Sequence, residues 1–138
     1  TWRRYIKPAW GRVLEVVRTK HPEVRFFLHS CGAIDPIVPD IVELGFHMLH
    51  PIQPECMDFA GIWREYGRDI ALAACISAQR TLPFGSPQEV KREIARMAGI
   101  VEKNRRAILM PSNRIQPETP WENVAAFVAA CRGVRGLG

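Results

Sequence analysis

The sequence predicts an α/β fold built on a parallel sheet, and two patterns carry that expectation. Short apolar runs rich in β-forming residues alternate with stretches of helical periodicity, the order of parallel strands joined by right-handed crossovers. One run, IALAACI at residues 70–76, is apolar throughout, as suits a strand covered on both faces. The size agrees: 138 residues, 47% apolar and 24% charged, make one compact domain and exclude disorder, collagen and coiled coil.

Taken in order, a helix is expected over residues 8–20, followed by a strand over 24–29. A helix over 36–44 stops at Gly45, and a strand follows over 46–51. The next helix, 58–66, stops at Gly67 before the strand at 70–76. The last two helices, 87–103 and 121–132, flank a strand at 107–110. Each has a written start, Ser86-Pro87-Gln88-Glu89 and Thr119-Pro120-Trp121-Glu122. In both, a hydroxyl stands at the N-cap, Pro at the first helical position and Glu three residues after the cap.

Charge and cysteine usage narrow the partners. Nineteen Lys and Arg against fourteen Asp and Glu give a formal charge of +5. The basic clusters, Arg3-Arg4, 18–20 and 103–106, do not alternate with aromatic residues as a nucleic-acid surface would, so no nucleic-acid partner is expected. No apolar run approaches the roughly 20 residues of a membrane span, and residues 1–7 lack a signal-peptide core. A soluble cytoplasmic protein without a membrane partner is the expectation, with Cys31, Cys56, Cys75 and Cys131 as free thiols. The opening, which reads as helix without an initiator Met, suggests a piece of something longer.

Two architectures suit this alternation: an open doubly wound sheet, or part of a (β/α)8 barrel. Neither G-x-G-x-x-G nor the P-loop pattern occurs. In both architectures ligands meet the loops at the carboxyl ends of the strands, and those loops carry the chemistry-bearing residues. The first reads His29-Ser30-Cys31-Gly32. Residues two apart on an extended segment point the same way, so His29 and Cys31 can reach one ion, and imidazole nitrogen with thiolate sulfur suits zinc. A structural histidine beside a packed thiol is the other reading of this spacing. Gly32 allows a sharp turn after them.

The second loop, residues 50–56, holds Gln53 as a polar anchor for a small-molecule substrate between Pro51 and Pro54, with Glu55 and Cys56 beyond. His47 is expected to satisfy a hydrogen bond at its strand, and His21 to sit at a helix end. The third loop, 77–81, offers the Gln79 amide and Arg80, which is either an anion clamp or, the favoured reading, an ordinary surface arginine. In the fourth, 111–116, Asn113 either faces a pocket or shapes the turn.

HSCG at 29–32, ELGFHMLHPIQPE at 43–55, the Gln79 loop and PSNRIQPETPWEN at 111–123 together resemble the carboxyl-terminal half of the uroporphyrinogen decarboxylase superfamily. That superfamily includes the cobalamin-dependent methyltransferases. The resemblance implies a (β/α)8 TIM barrel of which residues 1–138 are about the last four βα units, with the amino-terminal half of the barrel as a partner. An isolated half-barrel is expected to self-associate through its unpaired edges. The decarboxylases lack the His-x-Cys pair and carry a Gly-His-Gly-Ile type motif whose His aligns with Asn113.

The methyltransferase branch uses His-x-Cys and a later Cys as zinc ligands. His29 and Cys31 match the first two and are the implied catalytic and metal residues; Asn113 stands at the third. Cys75, Cys56, Glu55, His50 or a carboxylate of the other half would then complete a zinc site, or the pocket holds no metal. The resemblance implies methyl transfer between a methylated corrinoid on a partner corrinoid protein and a thiol or folate. The alternatives are porphyrinogen decarboxylation and a non-catalytic ligand-binding barrel. Gln53, Gln79 and Asn113 are the expected substrate contacts.

Overall fold

The computed structural model describes residues 1–101 and 106–134. Four parallel strands lie side by side in chain order: β1 (Phe27–His29), β2 (Met48–His50), β3 (Ala71–Ile76) and β4 (Ala107–Pro111). Helix α1 (Lys7–Lys20) precedes β1, entered through a π-helical turn at Trp2–Ile6. A 3-10 turn (Asp35–Ile37) leads into α2 (Val38–Glu43), and α3 (Phe59–Tyr66) follows β2. Next come α4 (Thr81–Phe84) and α5 (Pro87–Val101) after β3, and α6 (Trp121–Gly133) after β4.

This order separates the two architectures left open by the sequence. In a doubly wound sheet the strand order reverses at a switch point and helices cover both faces. Here the order never reverses, so successive right-handed crossovers put the helices on one face, the arrangement of a (β/α)8 barrel. The core lies between that face and the helices. Leu28, Leu49, Leu72, Ala74 and Ile76 pack there with Val38 and Ile41 of α2, Ile62 of α3, Val90, Ile94 and Met97 of α5, and Ala126 of α6.

The register fixes the other face. Phe27 pairs with Met48, His29 with His50, Ala73 with Ile108 and Cys75 with Met110, so these residues alternate with the core positions. Phe27 is 53% exposed and Ile108 49%, the uncovered apolar surface expected where a barrel interior meets no further strands among the described residues.

Several local expectations hold. Ser86 and Glu89 form the reciprocal cap: the Ser86 amide donates to Glu89 Oε2 at 2.7 Å, and the Glu89 amide donates to Ser86 Oγ at 3.3 Å. The Ser86 amide and hydroxyl, both donating to Oε2, hold the Glu89 carboxyl below the usual range. Gly45 is left-handed, with φ +75°, and Arg18 donates to the carbonyls of Leu44 and Gly45 at the end of α2. His21 ends α1, and the His47 ring accepts from the Phe26 amide at 2.9 Å.

Others need correction. Gly67 ends α3 at φ −64°, without a left-handed turn. Helix α6 is capped by Pro120 rather than Thr119, whose hydroxyl is buried without a partner. A Pro at the cap carries no side-chain acceptor, so the Thr-Pro-Trp-Glu pattern sets the start of α6 one residue later than the box requires. Strand β1 begins at Phe27 rather than residue 24, and β2 spans Met48–His50, ending before Pro51, which has no N–H for the ladder. Helix α2 begins at Val38 after the 3-10 turn. The expected end of the helix at 103 and most of the 103–106 basic cluster lie outside the described residues.

Candidate functional site

Strands β1 and β2 end on the same triplet pattern, Phe-Leu-His and Met-Leu-His, and their parallel register sets His29 directly beside His50. The two rings lie 4.8 Å apart, and their Nδ1 atoms share a hydrogen bond of 2.8 Å. The Nε2 of His50 donates to the Pro111 carbonyl at the end of β4, 3.0 Å away. His50 is only 5% exposed, and its burial, more than any neighbouring charge, holds its pKa below the ordinary histidine range.

His29 is exposed and turns its other nitrogen outward. Its Nε2 lies 3.4 Å from the Cys31 sulfur. Gly32, at φ +94°, lets the chain turn there, and its amide donates to Gln53 Oε1 at 2.8 Å. Gln53 therefore clamps the His29–Gly32 loop through its carbonyl oxygen. From the fourth strand end, Asn113 Nδ2 comes within 3.7 Å of the same sulfur, while its Oδ1 accepts from the Arg114 amide at 2.8 Å. The structure thus brings His29, Cys31 and Asn113 together, with Gln53 one contact behind. Gln79 is exposed on the third loop, its backbone amide held by Ser77 Oγ at 3.2 Å, and no hydrogen bond joins it to the other four among the described residues.

A second layer went unread in the sequence. Ser77, buried, donates to Glu55 Oε1 and accepts from the amides of Gln79 and Arg80, shaping the third loop. Ser112, also buried, accepts from the Ala78 amide at 3.0 Å and ties the third loop to the fourth. The legible signal was position: each is the first residue after its strand, polar where the apolar run stops.

Zinc can be tested against these donors. Imidazole nitrogen and thiol sulfur are two of its preferred ligands, and His29 and Cys31 fit. The third position does not: Asn113 faces Cys31 with an amide nitrogen, which has no lone pair to give, and its oxygen is turned to the Arg114 amide. Among the described residues no three of His, Cys, Asp and Glu converge to hold a metal. Of the other side chains weighed for that role, both ring nitrogens of His50 are bonded and Cys75 is buried, its thiol pushed up to about 12 by desolvation. Cys56 is exposed, and burial around its sulfur raises its pKa. Glu55 alone among them keeps a buried oxygen, Oε2, without a hydrogen-bond partner.

Residues 1–134 match the family Uroporphyrinogen decarboxylase (URO-D). The chain belongs to the URO-D family. A curated relative, "Methylcobamide:CoM methyltransferase MtaA" of Methanosarcina barkeri, is 33% identical over 105 residues, 75% of this chain and 29% of the relative. A solved structure, a methyltransferase from Methanosarcina mazei, superposes with a TM-score of 0.77 at 26% identity, covering 95% of this chain and 36% of the other. This URO-D chain therefore spans only about a third of the length of the proteins it matches, and its sheet is the four-strand part of their barrel. No helix among the described residues is long and apolar enough to cross a membrane.

Proposed function

We propose that the chain forms part of a methyltransferase that moves a methyl group between a methylated corrinoid, carried by a partner protein, and a thiol acceptor, with His29 and Cys31 as the reactive pair. The convergence of His29 Nε2 and Cys31 Sγ at 3.4 Å, at the carboxyl ends of the strands, carries this reading. Similarity to the Methanosarcina methyltransferases supports it.

His29 and Cys31 would hold zinc, and since no third His, Cys, Asp or Glu converges on them among the described residues, the remaining ligand would come from the rest of the barrel. Zinc supplies one thing at such a site: it favours the anion of a bound thiol near neutral pH. In the transfer a sulfur–carbon bond forms, the cobalt–carbon bond breaks with its electron pair left on the corrinoid, and the thiol proton goes to solvent. The protein's part is position and electrostatics. Gln53 holds the His29–Gly32 loop in its turn, and Asn113 offers an amide N–H toward sulfur. Gln79 and Arg80, both exposed on the third loop, stand where an acceptor's polar groups can meet them. The remaining strands of the barrel would close the pocket over Phe27 and Ile108.

Elemental analysis of the full-length protein beside Cys31→Ser and His29→Ala tests the ligand assignment. Stoichiometric zinc in the native protein, lost in both variants, is the expected result. A native protein purified in the presence of zinc and holding none contradicts it.

A further inference from the structure

We infer that His50 is a positioning residue that fixes the tautomer of His29, leaving the Nε2 of His29 bare and aimed at the Cys31 sulfur. The inference rests on the reading of His29 as a ligand and adds what makes it one. It follows from a chain of hydrogen bonds with one consistent direction. A carbonyl oxygen only accepts, so the 3.0 Å bond to Pro111 places a proton on His50 Nε2. A neutral His50 then has a lone pair at Nδ1. Only one proton fits between two nitrogens 2.8 Å apart, so the proton shared by the two Nδ1 atoms belongs to His29. The Nε2 of His29 is left with a lone pair, facing Cys31 at 3.4 Å.

The fold supports each link. The parallel register sets the two histidines opposite one another, and the Ser30 amide donates to the His50 carbonyl at 2.9 Å, so the backbones are held as well as the rings. His50 is 5% exposed, which keeps water from competing for its Nδ1. A metal-ligating imidazole ordinarily donates its other N–H to a carboxylate, carbonyl or water; here a second imidazole, itself anchored to a backbone carbonyl, takes that place.

Two variants separate positioning from mere packing. Counting bonds from the backbone, the amide oxygen of His50→Asn lies near the old Nδ1 and can still accept from His29. The amide of His50→Gln lies near the old Nε2, keeps the Pro111 bond and loses His29. The direct readout is the protonation of the two ring nitrogens of His29 in metal-free, full-length protein labelled with ring-15N histidine, by long-range 1H–15N NMR correlation. The native protein and His50→Asn should show His29 protonated at Nδ1 and bare at Nε2. His50→Gln should show the Nε2–H form gaining population, with zinc affinity lower by about 10–100-fold, the usual effect of losing an outer partner. A native His29 protonated at Nε2, or a His50→Gln protein whose His29 stays in the Nδ1–H form, overturns the inference. Because the NMR readout needs neither zinc nor turnover, a failure of the methyltransferase reading would leave this result standing on its own.

Discussion

The amide nitrogen of Asn113 lies 3.7 Å from the sulfur of Cys31, 82 residues away in the chain. The fourth strand end thus delivers a side chain to the place where the proposed zinc site would take a third ligand, and the side chain is a poor donor. Replacing it with a thiol should restore the set. A structural zinc site of four ligands binds with about 10–16 kcal/mol, so a third good ligand should strengthen zinc binding by on the order of 100-fold or more in Asn113→Cys. Competition with a chromogenic chelator measures this; unchanged affinity would mean that the fourth loop does not approach a bound ion.

Acid should unfold the protein in part through Asp40. Its carboxylate, 5% exposed, accepts from Lys7 Nζ at 2.7 Å and from Arg3 Nε at 2.9 Å, joining the amino-terminal helical segment to α2. The Lys7 bond holds the Asp40 pKa below the ordinary carboxylate value and raises that of Lys7. A depressed carboxylate contributes stability that is present above its unfolded pKa and lost as pH falls through the folded one. Native stability should therefore decline below about pH 4, and Asp40→Asn should flatten that decline. Urea unfolding between pH 7 and pH 2 gives the comparison; parallel curves for the two proteins would rule the contribution out.

The cysteines should divide by burial. Cys75, 2% exposed with its thiol pushed up to about 12, stays protonated at pH 8 and shielded from reagents. Cys31 and Cys56 are exposed. Iodoacetamide at pH 8, followed by peptide mass spectrometry, should modify Cys31 in the native protein and reach Cys75 only after denaturation. Protection of Cys31 by added zinc would accord with its role as a ligand. Equal labelling of Cys31 and Cys75 would contradict the burial pattern.

Asn123, 1% exposed, donates from Nδ2 to the carbonyls of Leu82 at 2.9 Å and Gly85 at 2.7 Å, fastening α6 to the turn around α4. Asn123→Ala takes this donor from the buried Leu82 carbonyl and the half-buried Gly85 carbonyl, which should cost about 1–3 kcal/mol in urea unfolding. A loss below about 0.5 kcal/mol, the usual range for a surface substitution, would show the anchor to be dispensable.

The sequence was legible where local rules act alone. Residues 70–76 read as a doubly covered strand because every side chain is apolar, and Ala71–Ile76 is that strand. Ser86 and Glu89 read as a cap because the two groups satisfy each other within one turn. Legibility failed where a distant partner decides. Helix α4 is four residues long and carries no periodicity to read; the Leu82 amide bonds back to the Ser77 carbonyl and packing holds it. His29 and Cys31 stood out as a local pair, but His50 showed its part only when the register of β1 against β2 was fixed. Gln53, read as a substrate anchor, also holds Gly32 through its carbonyl oxygen, a contact between loops that spacing cannot reveal.

The central claim, that His29 and Cys31 carry methyl transfer, is tested most directly by turnover. Full-length native protein and its His29→Ala variant would be given methylcobalamin and a small thiol, with loss of the methyl–cobalt absorbance followed over time. The account predicts transfer by the native protein and a fall in His29→Ala greater than the about 10–100-fold that losing an outer partner costs. Equal rates in the two proteins would contradict it.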